Sequence, residues 1–263
     1  RTVDTTPPTA PTLTLANDTG ASNSDGITSN GTIQVALASD VASWRYSVDG
    51  GTNWTAGSGT SFTVPAGTYA ANAIVVEASD AAGNKSTGSY ASALTVDQTA
   101  PVVQTLTASA TDDTITLTYD SDLDPTNLPK AEDFTIRQND TDLSIDTISA
   151  SGKDLIITLS SDLVTGSLSV KYDDPSAAND DAAIQDIAGN DASSFTQGIV
   201  ADGYIRGAQI YIDVNGNGEP DDDEMLEGVV TDANGNFFLP ADAPSGSIIA
   251  VGGVNIDTGV PNT

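Results

Sequence analysis

Trp44-Arg45-Tyr46-Ser47-Val48-Asp49-Gly50-Gly51, followed three residues later by Trp54, reads as a strand running into a tight reversal. Trp44, Tyr46 and Val48 alternate with Arg45 and Ser47, so one face is apolar and the other polar. That period of two is the mark of a half-buried strand. Asp-Gly-Gly supplies the positive φ angles that a short hairpin turn demands, which places a hairpin between the two tryptophans. The pattern extends in both directions. Ile33-Val35-Leu37 and Ile74-Val76-Ala78 repeat it, with Gln34 and Glu77 on the opposite faces. Ile115-Leu117-Tyr119, Leu155-Ile157-Leu159 and Leu168-Val170-Tyr172 carry it into the second half of the chain.

Short strands at this spacing, separated by Gly, Asp, Asn, Ser and Pro, with almost no helical periodicity and no strand–helix alternation, predict an all-β chain. The expected architecture is a tandem, elongated array of immunoglobulin-like β-sandwich domains, with Trp44 in a sandwich core rather than presented to a sugar ring. Two internal echoes set the boundaries. Val3-Asp4-Thr5-Thr6-Pro7-Pro8 is matched by Val96-Asp97-Gln98-Thr99-Ala100-Pro101, and Asp80-Ala81-Ala82-Gly83-Asn84 by Asp186-Ile187-Ala188-Gly189-Asn190. A recurrence of this kind marks repeated modules. The reading places domain one at 1–97, domain two at 98–203 and a third, small or incomplete unit at 204–263, with strands around Gln209–Ile212, Phe237–Leu239 and Ile248–Val251. About sixty residues are marginal for an independent core.

The 263 residues hold 37 Asp plus Glu against 8 Lys plus Arg, a formal net charge of −29, and neither His nor Cys. Imidazole and thiolate catalysis, zinc fingers, haem and iron–sulfur ligation and disulfides are therefore excluded. Nucleic acid and anionic membrane surfaces would be repelled. No run is long and apolar enough to cross a membrane, and the chain opens on Arg1 without Met or leader, so a piece of a longer protein is expected. The acids are 32 Asp and only 5 Glu. Asp holds its oxygens close to the backbone of a turn, which suits both turn capping and hard cations such as Ca2+.

The strongest local signal runs from Asp213 to Glu224. Aligned with a twelve-residue calcium loop, Asp213, Asn215 and Asn217 fall at positions 1, 3 and 5 and Gly218 at the sharp turn. Glu219 takes the backbone-carbonyl position, Asp221 position 9 and Glu224 the closing position. A strand precedes the loop and no amphipathic helix follows, so calcium on a β scaffold is expected; the alternative is an acidic turn without an ion. Downstream, Asp232-Ala-Asn234-Gly235-Asn236 reads as an Asn-Gly hairpin turn or as a second oxygen cluster. In domain one, Asp18 and Asp25 bracket a polar loop and Asp80 sits in a late turn; with Asp4 or Asp97 they could converge on an ion between modules, or merely cap turns. Domain two offers Asp112-Asp113, Asp120, Asp122, Asp124, Asp173-Asp174, Asp180-Asp181 and Asp186. A solvated face is the simplest account of these, with calcium near Asp186 as the alternative. Carboxylate pairs for glycoside hydrolysis are poorly supported, because these Asp lie in hydrated turns and aromatic platforms are scarce, so no enzyme is expected.

These residues resemble the modules of giant calcium-dependent RTX adhesins of bacteria. Residues from Val3 to Asn84, through Asn17-Asp18-Thr19-Gly20 and Asp25-Gly26-Ile27-Thr28, resemble their immunoglobulin-like repeat. Ala131-Glu132-Asp133-Phe134, Val170-Lys171-Tyr172-Asp173-Asp174-Pro175 and Ile184-Gln185-Asp186 resemble a SwmB-type repeat. Arg206-Gly207-Ala208 through Phe237 resembles the first half of a split domain that flanks ligand-binding modules. The resemblance implies type I secretion, an extracellular place on the bacterial cell surface, and a monomeric, calcium-rigidified extender role in adhesion and biofilm formation. It also implies calcium at Asp4, Asp18, Asp25, Asp80 and Asp97 and in the tail loop. The partners it implies are neighbouring domains of the same chain and a host or biofilm ligand. The rival readings are a calcium-dependent glycan- or peptide-binding module, and accessory domains of a secreted polysaccharide-degrading enzyme.

Overall fold

A computed structural model describes residues 3–139, 141–164, 166–176, 178–201, 205–240, 242–255 and 258–261. The described chain is all-β, broken only by two single 3-10 turns at Ala131–Asp133 and Asp222–Glu224. It forms two compact units. The first gathers residues 1–99 with Ile187–Asn190, and the second residues 100–186 and 191–263. The boundary expected between 203 and 204 falls outside the described residues.

In the first unit, Thr12–Leu15, Thr32–Ala36 and Ser61–Thr63 form one sheet, and Thr55–Ala56, Val41–Ser47, Val75–Asp80 and Lys85–Ser89 another. The alternating residues supply the filling: Ile33, Val35, Trp44, Phe62, Ile74, Val76 and Ala78 are buried in a single cluster. Each buried Ile, Val or Phe among them contributes about 1.5–3 kcal/mol by leaving water. Trp44 is a core residue, only 8% exposed, and a Cβ on Gly57 would lie 2.2 Å from its ring. The predicted hairpin forms, pairing Arg45 with Ala56 and Tyr46 with Thr55 around Gly50 and Gly51, both at positive φ. Trp54 lies past the turn with the Arg45 guanidinium 4.4 Å above its ring, a cation–π contact.

In the second unit, one sheet runs Val103–Ser109, Thr114–Tyr119, Asp154–Leu159, Ile145–Ser151. The facing sheet runs Thr141–Leu143, Phe134–Gln138, Gly166–Tyr172, Phe195–Ala201, Asn236–Leu239. Ile115, Leu117, Tyr119, Leu155, Ile157, Leu168, Val170 and Tyr172 are buried in one core, as their alternation predicts. The last strand of the second sheet comes from the tail: Asn236–Leu239 pairs antiparallel with Phe195–Ala201, and the Asn236 side-chain oxygen accepts from the Leu106 amide at 3.0 Å. Phe237 points to the outer face, 1% exposed, against a smaller cluster with Val200, Ile205, Ala208 and Ile210. Gly198 is required beneath it, because a Cβ there would lie 2.3 Å from the Phe237 ring. The described residues of the tail thus share a small core with Val200 while also extending the larger sheet. A strand the sequence did not signal, Met225–Val230, flanks Gln209–Asp213 on the side opposite Ser247–Val251.

Candidate functional site

The loop from Asp213 to Glu224 leaves strand Gln209–Asp213, reverses through Gly216 and Gly218 at φ +72° and +77°, and returns through the 3-10 turn Asp222–Glu224 into Met225–Val230. Both glycines have open space where a Cβ would lie, so their role is the left-handed backbone rather than close approach. Asp213 is 5% exposed and gathers three amides: Oδ1 accepts from Gly216 and Asn217, and Oδ2 from Gly218 at 2.8 Å. Glu224, 7% exposed, accepts from Val214 at 2.9 Å and Asn215 at 3.2 Å on Oε1. Its Oε2 is buried with no hydrogen-bond partner. An unpaired carboxylate oxygen out of water costs free energy that a cation would recover. Asn215 and Asn217 donate their side-chain amides to Asp221 Oδ2 at 2.8 and 2.9 Å, while their own carbonyl oxygens accept from Asn217 and Glu219 amides. Glu219 is exposed. The donor set is all oxygen and the turn is a calcium turn in outline, so the residues fit Ca2+. Among the described residues, however, no three Asp or Glu side chains already stand together as a metal cluster. The fit rests on Glu224 Oε2 and on asparagine and backbone oxygens.

The carboxylates of the first unit fall into two kinds. Asp80 is spent inside the protein, accepting from the Ala82 and Asn84 amides and the Asn84 side chain, and these bonds, that from the Asn84 side chain foremost, hold its pKa down. Asp4 and Asp97 accept from Thr6 and Thr99 two residues on. Asp25 does the same for Ile27. Asp18 differs: Oδ2 accepts from the Gly26 amide at 2.9 Å, but Oδ1 is buried without a partner. Burial first, and the Asp25 charge next to it, push its pKa up. Asp18 and Asp25 line a cavity of about 580 Å3 together with Asn17, Asn23 and Tyr90.

The sequence echo is also a structural one. The Asn84 side chain donates to the Asp4 carbonyl at 3.3 Å, and Asn190 donates to the Asp97 carbonyl at 3.0 Å. Equivalent asparagines therefore grip equivalent aspartates, 80 and 93 residues away. Ala188 of the second turn accepts from the Thr19 hydroxyl at 2.7 Å and from the Ser29 amide at 2.9 Å. Gly20, at φ +89°, comes so near the Ile187 carbonyl that a Cβ would lie 2.2 Å from it.

Asp186 is 1% exposed in the second unit. The residue that sequence reasoning missed is nearby: Asp191 accepts from the Asp180 amide on Oδ2, and its Oδ1 is buried without a partner. Burial chiefly, then the charges of Asp180, Asp174 and Asp186, raise its pKa to about 6. Nothing in the local sequence signals this, since the neighbours come from different turns. Asp232-Ala-Asn234-Gly235-Asn236 is a turn capped by Asp232, which accepts from the Asn234 and Asn236 amides. It is not a hairpin, because the strands on its two sides belong to different sheets.

Residues 4–98 match the family described as a bacterial Ig-like domain, and residues 96–177 match the one described as a putative flagellar system-associated repeat. No curated protein matches the chain. Among solved structures, the chain is similar to the Bacteroides ovatus mixed-linkage glucan utilization locus SGBP-B in complex with mixed-linkage heptasaccharide. The identity is 14%, over 97% of this chain and 69% of that one, with a TM-score of 0.22, too low a likeness to carry any argument. The two family matches together cover residues 4–177 and support a repeat fragment of the bacterial surface-protein kind over that stretch.

Proposed function

We propose that the chain is a calcium-rigidified extender segment of a bacterial cell-surface adhesin, with a mechanical rather than catalytic role in adhesion and biofilm formation. The observation that carries this reading is the buried, unpartnered Oε2 of Glu224 beside the buried Asp213, in a chain of tandem surface-protein repeats. The residues that would hold Ca2+ are Asp213, Asn215, Asn217, Asp221 and Glu224, with the Glu219 carbonyl. The ion would supply charge neutralisation and a fixed loop. Asn215 and Asn217 would contribute by turning their side-chain oxygens, now aimed at backbone amides, inward. Asp18 and Asp25 form a second candidate through the unpartnered Asp18 Oδ1.

At a net charge of −29 the apo segment repels itself, and calcium that binds only the native state stabilises it by about 2.7 kcal/mol at a hundredfold excess over Kd. The segment works as a monomer joined to neighbouring modules of one long, type I secreted chain. Single-molecule pulling tests the mechanical part: the unfolding force of the second unit is expected to be higher in millimolar Ca2+ than in EGTA, and equal forces would contradict it. Antibody labelling of intact cells that encode the chain tests the location. Labelling only after permeabilisation would overturn the surface assignment.

A further inference from the structure

Two of the eight basic residues meet in one cleft of the second unit. Thr135, Arg137, Ser169, Lys171 and Thr196 alternate with the buried residues of strands Phe134–Gln138, Gly166–Tyr172 and Phe195–Ala201, so they share the outer face of that sheet. The register sets Lys171 between Thr135 and Thr196, and Arg137 opposite Ser169. Facing them across a space of about 420 Å3 is an apolar wall from the tail, including Ile212, Leu239, Pro244 and Ile248. A concave space of this size, with a polar and charged floor facing an apolar wall, can hold a small polar ligand against that wall.

We infer that this cleft binds a carboxylate-bearing saccharide, with Arg137 and Lys171 receiving the carboxylate and the Thr135, Ser169 and Thr196 hydroxyls meeting sugar hydroxyls. Both cations already carry partners, Arg137 on Asp142 at 2.9 Å and Lys171 on Asp173 at 2.7 Å. These pairs are exposed, with side chains 41% and 76% accessible in the first and 51% and 56% in the second. Exposed pairs of this kind are worth only about 0–1 kcal/mol, so a ligand carboxylate exchanges for Asp142 or Asp173 at little cost. The guanidinium fork offers an incoming carboxylate planar, bidentate geometry. The overall negative charge opposes the approach of an anion. Beyond a Debye length of about 8 Å at physiological salt that opposition is largely screened. At the cleft the near charges are Arg137 and Lys171 with their partners Asp142 and Asp173, so an entering carboxylate meets a locally balanced set in which it competes with two exposed aspartates. A purely neutral sugar would leave both cations on their aspartates, and a bare peptide carboxylate would leave the hydroxyl row unused.

Isothermal titration of the full chain with trigalacturonate, in calcium-free buffer so that no ion bridges the ligand, tests the assignment apart from the calcium loop. Saturable binding is expected, at least tenfold weaker in Arg137→Met and in Lys171→Met, only a few-fold weaker in Arg137→Lys, and unchanged in Lys153→Met. Galactotriose and triglycine are expected to bind at least tenfold more weakly than trigalacturonate. Absence of saturable binding, or binding that survives both methionine variants in folded protein, overturns the site. Equal binding of galactotriose removes the carboxylate from the inference, and equal binding of triglycine removes the saccharide.

Discussion

The turn at Asp49 and the loop from Asp213 to Glu224 look alike in sequence, each an Asp followed by Gly and Asn, yet only the first satisfies all of its carboxylate oxygens. At Asp49, the oxygens accept from the Asn53 and Thr52 amides, the Ser47 hydroxyl and the Asn53 side chain. Those bonds, led by the Asn53 amide, lower its pKa to about 2. In the tail loop, Asp213 is satisfied in the same manner, but Glu224 brings in a second buried carboxylate whose Oε2 meets nothing. An Asp-rich turn is by default a cap. What distinguishes a cation site is an oxygen that the protein's own amides leave unsatisfied.

The largest effect that sharpens this contrast is Glu224→Ala. The second unit of the wild-type protein at a hundredfold excess of Ca2+ over Kd is expected to gain about 2.7 kcal/mol, and that unit in the variant to gain none, as read from its own transition in chemical denaturation with and without EGTA. Asp191→Asn is next. The folded pKa of Asp191, about 6, lies above the unfolded value of 3.8, so the folded state holds the proton more tightly. Stability is therefore fully present below pH 3.8 and is lost as pH rises through 6. Removing the charge is expected to raise stability at pH 7.5 by about 1 kcal/mol after solvent screening, or roughly 2–4 °C, and to flatten melting temperature between pH 5 and 7.5. A variant that melts lower than wild type at pH 7.5 would show that Asp191 is stabilised by something other than its proton. The smallest effect is Asp49→Asn. Its folded pKa lies below the unfolded one, so its contribution is present above pH 3.8 and disappears as pH falls towards 2. The variant is expected to melt slightly lower at pH 7, to match wild type near pH 2, and to do so equally in calcium and in EGTA.

Much of the fold was legible because it is local. The alternation at Trp44-Tyr46-Val48 and Ile115-Leu117-Tyr119 states which face is buried, and Asp49-Gly50-Gly51 states where the chain reverses. The echo of Asp80–Asn84 in Asp186–Asn190 also survived folding, as the same asparagine-to-carbonyl bond made twice. What the sequence left hidden is non-local. No pattern around Asn236–Leu239 announces that it pairs with Phe195–Ala201 rather than with the strand before its own turn, so the Asn234-Gly235 turn, which locally reads as a hairpin or an oxygen cluster, joins strands of two different sheets. The sites were half legible for the same reason. Spacing identified the residues of the tail loop, but only the folded chain tells the spent carboxylates, Asp80 and Asp49, from those with an unpartnered oxygen, Asp18, Asp191 and Glu224.

The calcium loop is the central claim, and calorimetric melting of the intact chain in millimolar Ca2+ against EGTA tests it most directly. The transition of the second unit is expected to move upward in calcium for the wild type and to stay in place for Glu224→Ala. Superimposable wild-type thermograms in the two buffers would contradict the account.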